Sequence, residues 1–514
     1  MTPSAATSPV PRPGAAPRRP STRRAAVAAV VVLALALRWW GLRFGLPATY
    51  HPDEHQYVDA AIAAVGGVWN PGRFNNPSLL KYALAAAYGV WYALGRLAGA
   101  WPSVDAWQRA TAADPTAAYA LARALVGVLG AATCAVVAAI GRRLRGETTG
   151  MLAAALLAVA FLHVRDSHYA VNDVPAALLT TLAVAIALRV RAEGRGRDLV
   201  VGAVVAGLAT ATKYTALVAV LPLAIGWLAA GWSDADRPPA AVAGGPGAGT
   251  LGRRLRHAGR RLATGPVALA AVAFVAAFLA AVPYAVLDRP AFVADVALLA
   301  TRGREGFKGL RIDAAPGWIF YLKSLGWGLG WPLLAAAIVG LGLALRRRRA
   351  DDAIVAVVPL VLWGYLGGQL NMFARFMLPA VPLLCVFAAD AVMAVGDRVR
   401  KGITGWGSGR CSCSAPTRRG GLGRSRRSSW RCRRSPPPSA TTSCWAAPTR
   451  GRWRGRGSRT TCRPGRGSSC SPAARSWTAW ASTSSRWARS ICRSGAWTTG
   501  SPTPRTTGAA RPGW

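Results

Sequence analysis

The sequence predicts an all-α, polytopic membrane protein. Of its 514 residues, 52% are hydrophobic, the mean hydropathy is +0.25, and long apolar runs recur from about residue 25 to about residue 395. A helix that crosses a bilayer core needs roughly 20 apolar residues. Repeated runs of this kind exclude a soluble protein and a lone secretory signal.

The charge distribution argues against nucleic acid as a partner, although the formal net charge is +43. About half of this charge lies in residues 402–514, and the rest forms short basic clusters between apolar runs. Such clusters mark the cytoplasmic ends of membrane helices. The lipid bilayer is therefore the predicted partner of the basic residues, and no nucleic acid is expected.

The composition changes at about residue 402. Residues 402–514 contain 22 Arg, seven of the nine Cys, no Lys and no acidic residue. We interpret the segment 401–514 as the product of a frameshift in a GC-rich gene, because a one-base slip turns Leu and Val codons into Cys, Trp or Ser codons. The alternatives are a disordered Arg/Ser-rich binding arm and a metal site at four Cys between 411 and 444, where no Cys-x-x-Cys spacing occurs. A frameshifted tail is expected to be disordered and without function.

The basic clusters orient a predicted bundle of about ten transmembrane helices. The basic N-terminus, residues 1–24, is placed in the cytoplasm because positive residues favour that side. The predicted spans are 25–43, 118–140, 150–164, 173–190, two short spans within 199–231 that turn at Lys213, 266–286, 326–345, 353–370 and 376–395. Counting 79–99 as a further span is the alternative, but it would place the Arg clusters at 141–146 and 346–349 outside the cell.

The predicted membrane domain, residues 25–400, has three long connections. Residues 47–116 form a large first outer loop with surface helices at 53–68 and 79–99. Residues 232–263, rich in Gly, Pro and Arg, form a cytoplasmic loop. Residues 287–317 form a second outer loop.

Five polar residues lie at one membrane surface in this predicted topology, and the basic clusters that orient the helices include none of them. They are Asp53, Glu54, Asp173, Lys213 and Arg375. Each has a simpler alternative, since acids favour a helix start, Asp173 suits a helix N-terminus, and a lysine can extend its ammonium to the interface. A lysine inside an apolar run nevertheless costs roughly 2.5–3.5 kcal/mol at the bilayer centre, so Lys213 should have a partner or line a polar cavity.

The chemistry that fits this set is group transfer from a membrane-anchored phosphate. Lys and Arg stabilise the charge of a phosphate leaving group, and a carboxylate opposite them can act as general base on an acceptor hydroxyl. The HPDEH spacing at 51–55 is not that of a zinc-binding H-E-x-x-H helix. No cofactor is predicted, and His51 and His55 leave a divalent metal ion as an open alternative.

Several motifs, in order, resemble those of the GT-C membrane glycosyltransferases, in particular the family 39-like, phospholipid-carrier-dependent group of protein O-mannosyltransferases and aminoarabinose transferases. They are HPDEHQYVDAA (51–61), FNNPSLLKY (74–82), the segments 122–146, 161–184 and 207–222, and ARFMLPAVPLL (374–384). The resemblance covers about residues 25–400. It implies a GT-C helical bundle with a large first outer loop.

The resemblance also implies residue roles. Asp53 matches the general base, with Glu54 beside it, and Asp173 matches the second acid of the family. Lys213 matches the lysine that contacts the lipid-linked phosphate, Arg375 matches an arginine of a late motif, and Arg123 is a weaker candidate for phosphate binding. His168 departs from the family pattern, because it stands where Arg is common.

The predicted function is inverting transfer of a sugar from a polyprenyl-phosphate carrier to a lipid, glycan or protein acceptor. The predicted location is the outer side of a bacterial plasma membrane. The alternative from another class is a transporter or lipid flippase, which would show inverted repeats and a mid-bilayer polar pathway. A truncated, inactive enzyme is a third alternative, because the unusual tail occupies the place of a further span and soluble domain.

Overall fold

The protein is described by a computed structural model over residues 20–230, 259–262, 264–306 and 316–407. All statements on its structure concern these residues. The predicted segments that lie wholly or largely outside them are the basic N-terminus (1–24), the cytoplasmic loop (232–263) and the tail (401–514).

The described residues form helices and connecting loops, without a β-strand. Two 3₁₀ helices, Tyr214–Ala219 and Ala374–Ala380, interrupt the α-helical series. The α-helices are α1 (Pro20–Trp39), α2 (Glu54–Val65), α3 (Leu79–Leu97), α4 (Val104–Ala113), α5 (Thr116–Arg145), α6 (Glu147–Val159), α7 (Phe161–Asp166), α8 (Asp173–Glu193), α9 (Gly196–Thr212), α10 (Val220–Ala229), α11 (Gly265–Ala281), α12 (Tyr284–Leu287), α13 (Arg289–Glu305), α14 (Gly317–Leu329), α15 (Trp331–Arg347), α16 (Ala350–Gly367) and α17 (Val381–Gly407). The all-α prediction is confirmed.

Apolar length supports membrane insertion of several helices. By length and composition, four helical segments of the described chain are each long and apolar enough to cross a membrane: α5, α8, α16 and residues 374–400. Helices α14 and α15 would form a fifth as one broken span, bent by 116°. Glu147–Val159, Tyr214–Ala229 and Gly265–Ala281 are shorter apolar helices. A multi-pass membrane protein is confirmed, and the count of ten spans stays a prediction.

The first predicted outer loop is a small helical layer with its own core. Helices α2 and α3 confirm the two helices predicted there, and α4 is an addition that the apolar pattern did not indicate. Buried residues of these helices, among them Tyr57, Leu84 and Trp107, pack together against the start of α5. Ser103 begins α4, because its side-chain oxygen accepts a hydrogen bond from the Ala106 amide at 3.2 Å.

The predicted Arg clusters meet at one end of the bundle. Arg145 pairs with Asp352 and Asp390, and Arg347 also pairs with Asp390. Arg145 ends α5, and Arg123 lies in the first third of the same helix. At 1.5 Å per residue, the two Arg are separated by about 33 Å, roughly the thickness of a bilayer core. The basic clusters and the predicted site residues therefore occupy opposite ends of the bundle, as the predicted topology required.

Helix α13, in the second predicted outer loop, and the residue before it form contacts with the first predicted outer loop. The Phe74 amide donates to Oδ2 of Asp295 at 2.6 Å, and the Asn70 side chain donates to Oδ2 of Asp288 at 2.8 Å. The rings of Phe74 and Phe292 are in edge contact, with centroids 5.6 Å apart. The FNN segment is thereby fixed at the same end of the bundle as the predicted site.

Candidate functional site

Four of the six predicted site residues form one ion-pair cluster. Nη2 of Arg375 donates to Oδ2 of Asp53 at 2.7 Å, and Nε of Arg375 lies 3.9 Å from Oδ2 of Asp173. Nζ of Lys213 pairs with Oδ1 of Asp173. Residues that are more than 300 positions apart in the chain are thus within contact distance, in agreement with the predicted topology.

Helix ends position all four members of this cluster. Asp173 is the first residue of α8, and Asp53 immediately precedes α2. Lys213 follows α9 in an extended conformation (φ −151°, ψ 128°) and precedes a 3₁₀ helix, so the predicted turn at this residue is present. Arg375 lies in the second 3₁₀ helix. Breaks between helices therefore bring the four charges together.

Aromatic rings support both cations. Nζ of Lys213 lies 4.5 Å from the ring centroid of Phe376, and the guanidinium carbon of Arg375 lies 4.5 Å from that of Phe373. Ring faces attract cations, more strongly where water is excluded. Lys213 is 9% exposed and Asp173 is 2% exposed. Asp173 as counter-ion and the face of the Phe376 ring therefore stabilise the charge of Lys213 within the apolar run.

Amide side chains form hydrogen bonds at Asp53 and at Asn172, the residue before Asp173. Nε2 of Gln56 donates to Oδ1 of Asp53 at 3.3 Å, and Asn75 donates to Oε1 of Gln56 at 3.1 Å. The Asn172 amide donates to Oδ1 of Asn76 at 3.1 Å and to the Thr212 carbonyl at 2.8 Å. Sequence reasoning missed these contacts, although the FNN motif was the available signal.

Glu54 and Arg123 pair with each other instead of joining the cluster. Nε and Nη2 of Arg123 donate to the two Glu54 carboxylate oxygens, each at 2.7 Å, and the Ala170 amide adds a bond at 2.8 Å. Nη1 of Arg123 donates to the carbonyls of Leu42 and Phe44. Both side chains are buried. The predicted catalytic role of Glu54 and phosphate-binding role of Arg123 stay predictions, and the contacts favour a structural part for the pair.

A cavity of about 290 Å³ adjoins the cluster at Arg375. We call it the Asp166 cavity. It is lined by His51, Arg165, Asp166, Tyr169, Phe373, Ala374 and Arg375. The sequence analysis named His51 only as a possible metal ligand and did not single out Asp166. His168 lies elsewhere, with its ring nitrogens 2.8 Å from the carbonyls of Val164 and Trp40.

Burial perturbs two groups of this cavity. It lowers the pKa of His51, an effect reinforced by the Arg375 guanidinium, so the ring is neutral at pH 7. Burial raises the pKa of Asp166 to about 6, and the adjacent Arg165 lowers it in part. Asp166, beyond the third predicted span, therefore remains mostly ionised at pH 7. Among the residues that the structure describes, no group of three His, Cys, Asp or Glu side chains is arranged to hold a metal ion.

The fold that encloses this site is similar to that of solved structures. The chain superposes with a TM-score of 0.51 and 16% identity on ArnT from Cupriavidus metallidurans bound to undecaprenyl phosphate, over 75% of this chain and 62% of ArnT. It is also similar to the apo oligosaccharyltransferase of Archaeoglobus fulgidus, with a TM-score of 0.47, 13% identity, and coverage of 77% and 53%. The chain thus spans about three fifths of the length of ArnT. The fold is the GT-C type.

Residues 115–241 match the family of dolichyl-phosphate-mannose-protein mannosyltransferases. This stretch runs from the start of α5 past α10 and contains Arg123, Asp173 and Lys213. The resemblance to the lipid-carrier-dependent GT-C glycosyltransferases is therefore confirmed in both sequence and fold. No curated protein sequence matches the chain significantly.

Proposed function

We propose that this protein is an integral membrane glycosyltransferase that moves a sugar from a polyprenyl-phosphate carrier to an acceptor hydroxyl at the outer face of the membrane. The observation that supports this most is the cluster of Asp53, Asp173, Lys213 and Arg375 at one end of a GT-C bundle. The similar ArnT is bound to undecaprenyl phosphate, a carrier of the proposed kind.

Lys213 and Arg375 would bind the phosphate of the donor. Their positive charges are now offset by two carboxylates, Asp173 and Asp53. An incoming phosphate brings a further negative charge and acceptor oxygens to the same donors, and Arg can contact two of these oxygens at once. Binding would therefore draw Arg375 from Asp53 and free that carboxylate for chemistry.

Asp53 is the better general base of the two clustered aspartates. Its side chain is 28% exposed, whereas that of Asp173 is 3% exposed and lies between both cations. In the transfer step the acceptor oxygen bonds to the anomeric carbon as the bond from that carbon to the phosphate oxygen breaks. The hydroxyl proton passes to Asp53, and the bonding pair leaves with the phosphate. Attack opposite the leaving group inverts the anomeric carbon. Asp173 orients the two cations.

The membrane explains why this chemistry would sit at a bundle end. The polyprenyl tail stays in lipid while the phosphate and sugar lie in the headgroup region, so the cleft must lie at that depth. Residues 47–116 cover the same end of the bundle and would exclude water from it. The Arg clusters at the opposite end support an outer location of the site, because positive residues favour the cytoplasmic side of the membrane.

A transfer assay distinguishes the enzyme from the alternative transporter or flippase. The purified protein in liposomes is supplied with radiolabelled polyprenyl-phosphate sugars and a membrane-lipid extract as acceptor source. We expect loss of label from the carrier and its appearance on an acceptor. Movement of intact carrier across the bilayer without bond cleavage would contradict the proposal.

Lys213→Gln should weaken carrier binding about 10–100-fold. A charge-assisted hydrogen bond is worth about 1.5–3 kcal/mol, and 1.4 kcal/mol corresponds to tenfold in affinity. Titration of the detergent-solubilised protein with polyprenyl phosphate measures the effect. Lys323→Gln is the matched control, because Lys323 is exposed on α14. Unchanged affinity in Lys213→Gln would remove Lys213 from the phosphate site.

A further inference from the structure

The Asp166 cavity adjoins the proposed phosphate site through a single shared residue. Arg375 contacts Asp53 in the ion-pair cluster and also lines the cavity. In a polyprenyl-phosphate sugar, the anomeric carbon is bonded directly to a phosphate oxygen. A phosphate bound to Arg375 would therefore place the attached sugar ring next to this cavity.

The acidic group of the cavity is held rigidly and retains hydrogen-bonding capacity. Arg165 donates to both Asp166 oxygens, at 2.8, 3.0 and 3.1 Å, through Nε and Nη2. The Arg165 guanidinium also lies 5.1 Å from the ring centroid of Trp327. Two carboxylate oxygens have about four acceptor positions, so Asp166 can still accept bonds from hydroxyl groups.

One hydrogen-bond donor group of the cavity lacks an acceptor among the described residues. Within the described part of the chain, Nη1 of Arg165 makes no hydrogen bond. The Arg165 side chain is 31% exposed, so its guanidinium is accessible to a ligand. A ligand rich in hydroxyls would use both the acceptor positions of Asp166 and the remaining donor of Arg165.

Aromatic side chains complete the lining. Tyr169 and Phe373 both border the cavity, and the Tyr169 ring packs on His51 with centroids 4.9 Å apart. Sugar rings expose C–H groups on one face and hydroxyls at the edge, so they match a lining with both aromatic and hydrogen-bonding groups. The volume of about 290 Å³ lies at the lower limit for small-molecule pockets, about 300–1,000 Å³. It suits one sugar ring rather than two.

We propose that the Asp166 cavity binds the single, electrically neutral monosaccharide that the carrier delivers, with Asp166 and Arg165 bonding to its hydroxyls and Tyr169 and Phe373 packing on its C–H face. This inference rests on the proposed function. Neutrality follows from the charges of the lining, because Arg165 offsets Asp166, the donor phosphate would offset Arg375, and His51 is neutral at pH 7. A charged sugar would find no unpaired counter-ion among these lining groups.

Comparison of sugar-loaded and sugar-free carrier tests the subsite without requiring turnover. Dissociation constants are measured for polyprenyl phosphate and polyprenyl-phosphate glucose with the full chain in detergent. We expect the wild-type protein to bind the glucose-loaded carrier more tightly. Asp166→Asn and Tyr169→Ala should each weaken that binding about 10–100-fold and leave the affinity for sugar-free carrier within twofold. Asp59→Asn, on the exposed face of α2, should change neither value.

Each other outcome has a defined meaning. If wild-type protein binds neither carrier, the proposed function and this subsite both fail. If it binds both carriers equally, or if the two variants keep the preference for glucose-loaded carrier, the subsite alone is refuted. If Asp166→Asn and Tyr169→Ala weaken the binding of both carriers equally, these residues contribute to the phosphate site or to the fold instead.

Discussion

Asp53→Asn is expected to lower the rate of sugar transfer by about 10²–10⁴-fold without changing the amount of folded protein. This range is the usual contribution of a general base. The asparagine amide cannot take the proton of the acceptor hydroxyl, but its oxygen can still accept the hydrogen bond from Arg375. The geometry of the cluster should therefore survive while the chemical step is lost. The measurement is kcat for transfer in liposomes, with protein level checked on the same membranes.

The control for this variant is a carboxylate on the same helix. Asp59 lies on the exposed face of α2, away from the ion-pair cluster, so Asp59→Asn should keep wild-type transfer. Carrier binding by Asp53→Asn should stay close to that of wild type or tighten, because one competitor for Arg375 is removed. Full transfer activity in Asp53→Asn would refute the assignment of the base.

Glu54→Gln is expected to lower the free energy of unfolding by about 3–5 kcal/mol, although Glu54 is adjacent to the proposed base. Removing one partner of a buried ion pair leaves the other charge without compensation. Here the remaining charge would be Arg123, which is 2% exposed. Thermal unfolding in one detergent measures the change, and kcat per folded molecule should stay within a few-fold of wild type.

A double-variant cycle separates a structural role of the pair from a chemical one. Arg123→Gln should also destabilise strongly, and Glu54→Gln with Arg123→Gln should lose less than the sum of the two single changes, because neither charge is left alone. The opposite pattern, in which Glu54→Gln keeps its thermal stability but loses transfer, would restore the predicted catalytic role of Glu54.

Much of the fold could be predicted because the bilayer imposes simple rules on sequence. Apolar runs long enough for lipid indicated α5, α8 and α16, and Arg clusters at their ends gave relative directions. Those directions alone place Asp53, Asp173, Lys213 and Arg375 at one surface. The pairs Arg375–Asp53 and Lys213–Asp173 now join them directly.

Other features could not be predicted, because they depend on which side of a helix faces which neighbour. Glu54 directly follows Asp53, yet the α2 backbone turns its carboxylate toward Arg123 and away from Arg375. Helix α4 has little apolar character and is stabilised by its Ser103 cap and by burial of Trp107. The bend between α14 and α15 occurs at Gly330, where φ is +87°, inside what the hydropathy pattern presented as one span.

The sequence alone determined that this protein is a multi-pass helical membrane protein with its basic clusters and its acidic and cationic candidate site residues at opposite ends. It could do so because the cost of placing charge or unpaired backbone in lipid acts on each segment separately. Only the tertiary structure decided which carboxylate meets which cation, and that Asp166, Tyr169 and Phe373 border one cavity. Those relations depend on helix rotation and on breaks such as that at Lys213, which packing between distant segments fixes.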